Sequence, residues 1–479
     1  MTSAKKLNLT QGPLLPYIVR FSLPLIVGLL VQILFNAVDI AVLGHMADTN
    51  AVASVGVTGA VTSLLINAFV GFSTGTNIIL ARFLGAKDDY NVRKTVDTSV
   101  LAALMTGVGI AVVGLFISPY LLTLIDCPDE CRAGAILYLR IYLCATPAIL
   151  IYNFGSAIIR VSGDTKRPLL YIIAAGTLNV VLNFVLCLML EQKVAAVAIA
   201  TLSSQVLSAT LVIVHLVRME GPCRIRLRHL TFDRRTFGRI VRFGFPSAIT
   251  NSLYCIPNLQ IQSAINTFGP AAITGNTSAC SIESMISSVH SGFGTTAMTF
   301  VGQNLGAGNE KRVKKSMIYC FLIAVGAATV LGVTTSTFLG EPLLSLYIPK
   351  DPTAVAYGMV RMRHISLFLT VGALNTLLAS CMNAFGYPVS QTICSLISVL
   401  GLRIVWMAFL FPLRPSIEML YFCYTVSWWL QLVLLTGAFV IVYRKYKKGK
   451  LPQLYKKHPP RGCFLFVVIS SPFATRQRP

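Results

Sequence analysis

Two stretches of the chain, "GFSTGTNIILARFLGAKDDYNVRK" (71–94) and "GFGTTAMTFVGQNLGAGNEKRVKK" (292–315), align without gaps. Their identical positions include Gly71/Gly292, Phe72/Phe293, Leu84/Leu305, Gly85/Gly306, Ala86/Ala307 and Lys94/Lys315. Two more pairs keep nearly the same offset of about 221 residues, Pro24 with Pro246 and Gly163 with Gly386. Three matches at one offset are hard to obtain by chance, so the chain contains an internal repeat.

The composition indicates that this repeat lies in a lipid bilayer rather than in water. Of the 479 residues, 55% are hydrophobic and 12% are charged, and the mean hydropathy is +0.71. A soluble domain carries roughly 25% charged residues. This much apolar surface predicts an integral membrane protein, in which a spanning helix needs about 20 mostly apolar residues.

The chain contains twelve apolar segments of spanning length. They cover 17–45, 53–82, 94–118, 133–158, 168–190, 194–217, 237–267, 271–302, 313–339, 355–382, 389–412 and 417–443. Six helices per repeat is an even number, so both halves enter the membrane from the same side. The sequence therefore predicts an all-α protein with twelve transmembrane helices in two parallel six-helix repeats, an arrangement common in transporters with a central site.

This interpretation divides the chain into four parts. We expect an N-terminal six-helix lobe (1–217), a basic cytoplasmic linker (218–236), a C-terminal six-helix lobe (237–445) and a basic, disordered tail (446–479). The apolar run within the tail is too short to span a bilayer.

The formal net charge of +23 reflects membrane topology rather than a nucleic-acid partner. Basic residues collect in alternate loops and in the tail, which predicts cytoplasmic termini of a multi-pass protein in the plasma (inner) membrane. No soluble domain is long enough to carry a nucleic-acid-binding patch. The 12 cysteines are scattered and lack zinc-site spacing. Cys127 and Cys131 could pair if their loop faces an oxidising compartment.

One acid interrupts the first apolar segment, at Asp39 in "NAVDIAVLGHM" (36–46). A charge at mid-membrane costs about 2.5–3.5 kcal/mol on insertion scales. Such residues usually face a cavity or a partner and mark ion or proton pathways. The structural alternative is an aspartate that caps the broken backbone of a neighbouring helix.

Polar residues on helices 5 and 6 are candidate neighbours of Asp39. Asn179 and Asn183 are four residues apart and share one helix face, and Thr201 follows on helix 6. Their oxygens could form a pocket for Na⁺, and a carboxylate there could equally hold a proton. The alternative is a set of amides that bridge helices for about 0.6 kcal/mol each.

The second half offers a possible second site. Glu283 is the only acid of helix 8, His290 lies two turns later on the same face, and Arg403 is a base well inside helix 11. Two structural alternatives stand beside a role in transport. Glu283 could pair with Arg403, or Arg403 could extend to the membrane interface.

Three motifs resemble the multidrug and toxic compound extrusion (MATE) family of secondary transporters. "SAIIRVSGDTKRP" (156–168) is similar to its loop signature, here Arg160, Gly163, Asp164, Thr165, Lys166 and Pro168. "NAVDIAVLGHM" resembles its helix 1 signature, with Asp39 and Gly44, and "FVGQNLGAGNEKRVKK" resembles its segment leading into helix 9. The resemblance covers roughly residues 14 to 445.

The resemblance implies a V-shaped protein of two lobes that exports organic cations and other amphipathic compounds in exchange for Na⁺ or H⁺. Asp39 matches the family's helix 1 acid, Asn179 its helix 5 asparagine and Thr201 its helix 6 threonine. Asn183 stands where cation-binding members have an acid, which favours H⁺ over Na⁺. The acid that some members carry on helix 7 is also absent from "NSLYCIPNLQ" (251–260).

We therefore expect an antiporter that is monomeric and not an enzyme, with small amphipathic or cationic substrates, a lipid bilayer as its surroundings and no cofactor besides the coupling ion. The nearest alternative is a lipid-linked oligosaccharide exporter or flippase of a related fold, which needs several basic residues in a lateral groove. A membrane enzyme would show motifs of catalytic residues that this sequence lacks. A channel would carry current without counter-transport.

Overall fold

A computed structural model describes residues 7–46, 49–125, 127–349 and 351–449. Within these ranges, some side chains in the second half of the first helix and the start of the second, including that of Asp39, are outside the description. All regular secondary structure of the described ranges is helical. The predicted tail after residue 449 lies outside the described residues.

Seven helices form the first lobe, and two of them make one bent span. The helices are α1 (Leu14–Met46), α2 (Thr49–Gly85), α3 (Asp89–Leu124), α4 (Asp129–Cys144), α5 (Thr146–Val161), α6 (Lys166–Met189) and α7 (Lys193–Arg218). α4 and α5 are bent by 43°, where Pro147 follows the break. The six spans agree with the first six apolar segments.

Ten helices form the second lobe, because several spans are broken. They are α8 (Arg234–Leu253), α9 (Cys255–Asn266), α10 (Pro270–Gly306), α11 (Glu310–Thr337), α12 (Gly340–Tyr347), α13 (Pro352–Ile365), α14 (Leu369–Ala384), α15 (Pro388–Ser395), α16 (Leu402–Val405) and α17 (Ile417–Lys447). α8–α9, α13–α14 and α15–α16 are single spans, and α12 is a short connecting helix.

Two of the twelve spans are less hydrophobic than the other ten. In the described ranges, nine helices are long and apolar enough to cross a membrane, and the bent pair α4–α5 makes a tenth. The two remaining spans are α8–α9 and α10. Both carry many polar side chains, and both lie where the two lobes meet.

The repeat found in the sequence is also present in the backbone. Lys87 has φ +56° and its counterpart Gly308 has φ +71°, so both loops turn through the left-handed region. In each loop the next side chain caps the following helix: Asp88 accepts a hydrogen bond from the backbone of Asn91, and Asn309 accepts one from Arg312. These caps explain why α3 and α11 begin at equivalent positions.

The glycines that open the repeated stretches let the lobes approach each other closely. Gly71 of α2 packs on the backbone of Ala248 in α8, and its counterpart Gly292 of α10 packs on Ile26 in α1. Ala248 and Ile26 each lie two residues after the matched prolines of their helices. The two contacts are related by a pseudo-two-fold axis between the lobes, as the parallel repeat predicts.

The two lobes are closed against each other where α2 and α10 end. Gly85 packs on the carbonyl of Gln303, and Gly306 packs on the carbonyl of Arg82. The two contacts are equivalent under the repeat, because position 82 matches position 303 and position 85 matches position 306. A Cβ at Gly302 would lie 3.0 Å from that of its own counterpart, Ala81. We call the region of these residues the gate seam.

Two side chains cross the gate seam in the same symmetric way. Arg82 donates from Nη2 to the carbonyl of Ala384, and Gln303 donates from Nε2 to the carbonyl of Val161 at 2.6 Å. Each acceptor ends its helix just before the loop that contains Gly163 or Gly386. Both glycines have positive φ, +94° and +81°.

The N-terminal segment also crosses between the lobes at this end. Arg312 of α11 donates to the carbonyls of Leu9, Gln11 and Gly12, and Asn304 of α10 donates to that of Leu9. Leu9 itself is buried. The segment before α1 therefore adds to the closure.

The lobes separate toward the opposite end. Near this end the hydroxyl of Ser252 donates to the carbonyl of Leu64 at 3.4 Å, and Nδ2 of Asn67 donates to the sulfur of Cys255 at 4.0 Å. Beyond Cys255, α9 packs on α10 and α17 of its own lobe. The twelve spans thus form a V whose narrow end is the gate seam.

Candidate functional site

In the first lobe, the predicted amide pair lies on a buried face of α6. Asn183 and Asn179 are both buried, and Nδ2 of Asn183 lies 3.3 Å from Oδ1 of Asn179. α6 packs between α1 on one side and α7 on the other. Thr201 of α7 is half-buried and donates its hydroxyl to the carbonyl of Val197 in its own helix.

Close packing fixes the register of α1 against α6. Gly28 faces Leu169, and one heptad later the ring of Phe35 packs on Gly176, where a larger residue would clash. The two helices therefore run parallel with a constant register. Extending it by four residues brings Asp39 level with position 180, between Asn179 and Asn183. The side chain of Asp39 lies outside the described residues.

The loop signature supports the start of α6. Asp164 accepts hydrogen bonds from the backbone N–H groups of Lys166 and Arg167, at 3.1 and 3.2 Å. Its carboxylate also lies 3.4 Å from the guanidinium of Arg167. Gly163 leaves room for the carbonyl of Leu7. These contacts are structural: they cap a helix and seat the N-terminal segment. Of the other signature residues, Arg160 lies in the last turn of α5, Thr165 directly precedes α6, and Pro168 lies in the first turn of α6.

In the second lobe, Glu283 lies in a buried polar network. Arg361 of α13 donates from Nη2 and Nε to Oε2 of Glu283, at 2.6 and 3.1 Å. Its Nη1 donates to Oδ1 of Asn276 at 2.7 Å, and the hydroxyl of Tyr421 donates to the same oxygen. Glu283 and Arg361 are each 5% exposed. A buried ion pair requires such additional hydrogen bonds to offset its desolvation.

The structural alternative in which Glu283 pairs with Arg403 is therefore wrong. α10 packs directly on α13, which supplies Arg361, while α16 packs on α17. Arg403 instead donates to Ser427 at 3.1 Å and to Asn258 at 3.2 Å. Extension of Arg403 to the interface is also wrong, because the side chain is only 2% exposed.

His290 is buried and apart from the ion pair. It follows Glu283 by seven residues on the same face of α10, which is about 10 Å along the axis. No described residue hydrogen-bonds to its Nδ1. The structure therefore leaves His290 outside the polar network, and Glu283 and Arg403 have different direct partners.

Three residues of these networks, Arg361, Asn276 and Asn258, were not among the predicted site residues. Two signals in the sequence could have indicated the first two. Arg361 is a base inside an apolar segment, and Asn276 precedes Glu283 by the same seven residues that separate Glu283 from His290. Asn258 carries no such signal, because only the folding of α9 against α16 brings it to Arg403.

Two cysteines that could pair are thiols in this structure. Cys127 and Cys131 are both unbonded, with their sulfur atoms 4.0 Å apart.

Comparisons with known proteins agree with the fold and its two-lobed repeat. The MatE family model matches residues 24–185 and 246–409, one stretch in each lobe. The chain is 26% identical over 399 residues to the probable multidrug resistance protein YpnP of Bacillus subtilis, covering 83% of this chain and 89% of that protein. It is 22% identical to a FAD transporter of Shewanella oneidensis, covering 81% and 86%.

A solved structure shows the same fold. A transporter of the MOP superfamily from Pyrococcus furiosus, described as having a binding pocket of reverse polarity, superposes with a TM-score of 0.83 at 22% identity and covers 95% of this chain and all of that one. The family model matches both halves of the chain, and the twelve spans form the corresponding pair of lobes. This chain therefore belongs to the MatE (multidrug and toxic compound extrusion) family of multidrug efflux transporters.

Proposed function

We propose that this protein is a secondary active antiporter that exports amphipathic compounds, organic cations among them, in exchange for H⁺ by alternating access. The observation that carries the proposal is the pseudo-symmetric gate seam. Two equivalent glycines and two equivalent side chains close one end of the molecule, while the lobes separate at the other. Alternating access needs an interface of this kind that can exchange its open and closed ends.

The distribution of charge supports an outward-facing state. The loops next to the gate seam and the first turns of the helices that follow them carry Lys87, Arg93, Lys311, Arg312 and Lys314, and basic residues favour the cytoplasmic side. With the gate seam at the cytoplasm and both termini on that side, the cleft of this structure opens outward.

Asp39 is our candidate for the coupling residue. The register of α1 on α6 brings it level with Asn179 and Asn183, and Thr201 lies on the next helix. A ligand shifts a two-state equilibrium only by its difference in affinity for the two states. Substrate and cation that compete through Asp39 would supply that difference. The neutral Asn183 leaves one carboxylate among these four residues, which suits a proton better than Na⁺.

The test measures drug efflux in everted membrane vesicles that contain the full chain. We expect efflux under an imposed pH gradient, little efflux under a Na⁺ gradient alone, and loss of coupled efflux in Asp39→Asn. Asp97→Asn is a matched control, because Asp97 is an acid of α3 that contacts Thr231 of the linker rather than α6. Undiminished coupled efflux in Asp39→Asn would refute the role of Asp39. Transport by Na⁺ alone would refute proton coupling.

The small number of available arginines argues against a lipid-linked oligosaccharide exporter. That function requires several basic residues in a groove, where they can reach a pyrophosphate. Arg361 is already paired with Glu283, which leaves Arg403 as a single buried base where a pyrophosphate needs several.

A further inference from the structure

Arg403 is a buried cation that the proposed coupling mechanism does not use. It lies inside the eleventh span and is 2% exposed. Charged side chains within spanning segments are expensive, usually paired, and often mark the path of a substrate or ion. No carboxylate of the described residues lies within 4.0 Å of its guanidinium.

The surroundings of Arg403 have an excess of positive charge. The acid of the neighbouring network, Glu283, is 2.6 Å from Arg361. Arg361 and Arg403 both lie over the ring of Tyr424, at 5.4 and 4.1 Å from its centroid. One acid and two bases leave one positive charge in this network, which a ring and neutral acceptors stabilise only in part.

One edge of the guanidinium can accept a ligand. Nε donates to Ser427 and Nη1 donates to Asn258, whereas Nη2 has no acceptor among the described side chains and carbonyls. The edge formed by Nη1 and Nη2 matches the two oxygens of a carboxylate or phosphate. A ligand that displaces Asn258 from Nη1 would gain both bonds.

Asn258 covers this edge of the guanidinium. It is exposed, on the part of α9 that follows the separation of the lobes. The hydroxyl of Tyr424 also donates to its Oδ1, at 3.3 Å. Because this amide is exposed, it can move aside and let a ligand reach Arg403.

The backbone around Arg403 is a second, independent indication of a functional site. α16 lies between two π-helical stretches, Leu396–Gly401 and Trp406–Leu410. π-helical turns are rare and occur frequently at functional sites.

We propose that Arg403 binds the acidic group of an amphipathic anion that enters the cleft, and that Asn258 occupies this position when the site is empty. The second lobe then selects substrates that carry a carboxylate or phosphate on an apolar body, in addition to the cationic compounds. This proposal rests on the proposed transport function and assigns part of its substrate range.

The test uses two dyes with the same aromatic body, rhodamine B, which carries a carboxylate, and its ethyl ester, which does not. Binding to the purified full chain in detergent is measured by fluorescence polarisation. We expect the wild type to bind rhodamine B more tightly than the ester. Asn258→Asp supplies a resident carboxylate, so it should weaken rhodamine B binding about tenfold, as for one lost charge-assisted contact, and leave the ester unchanged.

Gln260→Glu is the matched control, because it adds the same charge to an exposed position on the same helix. It should leave both affinities at the wild-type values. Arg403→Gln should abolish the preference for rhodamine B. If Arg403→Gln fails to fold, the comparison of Asn258→Asp with Gln260→Glu still tests the proposal. Equal binding of the two dyes by the wild type, or equal effects of Asn258→Asp and Gln260→Glu, would overturn the proposal.

Two further measurements distinguish an organic anion from an inorganic one, and the anion site from the transport function. If sodium chloride or inorganic phosphate displaces rhodamine B from the wild type at millimolar concentration, the site holds an inorganic counter-ion and the proposal is wrong. Efflux of the ester under a pH gradient in everted vesicles tests the transport function separately. Absence of that efflux refutes the antiporter whatever the binding preference, and efflux without a binding preference refutes the anion site alone.

Discussion

At the scale of single residues, the ion pair of Glu283 with Arg361 shows which contacts stabilise the second lobe. Arg361 donates two hydrogen bonds to one oxygen of Glu283, Oε2, and its Nη1 donates to Asn276. Such a pair contributes little compared with apolar residues of the same volume, but removing one member leaves a buried charge. We therefore interpret this pair as structural.

A double-mutant cycle tests this interpretation. Glu283→Gln and Arg361→Gln should each destabilise the protein by about 3–5 kcal/mol, since each leaves the other charge buried and unpaired. The double variant should lose much less than the sum, and thermal unfolding of the purified protein in detergent measures the difference. Arg132→Gln is the control, because its pair with Asp129 is exposed and is worth at most about 1 kcal/mol. Additive losses would contradict a direct pairing.

At the scale of elements, glycine determines how closely α2 and α10 approach. Gly85 and Gly306 place the backbone of one helix on a carbonyl of the other, a contact that any side chain would obstruct. The same two helices also carry Arg82 and Gln303, which cross to the opposite lobe. The gate seam therefore depends on small residues for approach and on two long side chains for its hydrogen bonds.

Alanine at either glycine should separate the seam. We expect Gly85→Ala and Gly306→Ala each to cost about 1–3 kcal/mol, as for overpacking of a tight contact. Each should increase hydrogen–deuterium exchange in both 158–165 and 381–388. The added methyl group pushes the two helices apart, which breaks both the bond from Arg82 to Ala384 and the bond from Gln303 to Val161. Gly109→Ala in α3 is the control, since a Cβ there meets nothing within 4 Å. Faster exchange at only one of the two segments would show that the bonds do not open together.

At the scale of the whole molecule, the pseudo-two-fold axis relates the contacts between the lobes. The axis passes near Ala81 and Gly302, which are equivalent in the repeat and face each other. A motion that opens this end must separate them. A covalent link at this point should therefore hold the protein in the present state.

A disulfide between Ala81→Cys and Gly302→Cys should arrest transport. The Cβ atoms would begin 3.0 Å apart, so the lobes need to separate by about 0.5–1 Å to reach disulfide geometry. Efflux in everted vesicles should fall after oxidation and return after reduction, and each single cysteine variant should respond to neither treatment. Full efflux by the cross-linked protein would mean that this end does not open during transport.

Much of this architecture could be predicted from the sequence. Hydropathy gave twelve spans, and the matched stretches 71–94 and 292–315 gave a parallel repeat that the contacts of Gly85 with Gln303 and of Gly306 with Arg82 confirm. The face shared by Asn179 and Asn183 followed from helical spacing. Spacing along one helix could not predict which partner on another helix meets Glu283, and the alternative that paired it with Arg403 is wrong.

The sequence by itself determined that this chain is a twelve-span membrane protein with two related lobes, and its motifs identified the family, because hydropathy, repeats and local turns are properties of neighbouring positions. Only the tertiary structure decided that Arg361 pairs with Glu283, that Arg403 meets Asn258, and that the lobes close at one end. These contacts join residues far apart along the chain. They depend on how helices pack, and the pattern within a single helix indicates its buried face without indicating the neighbour that covers it.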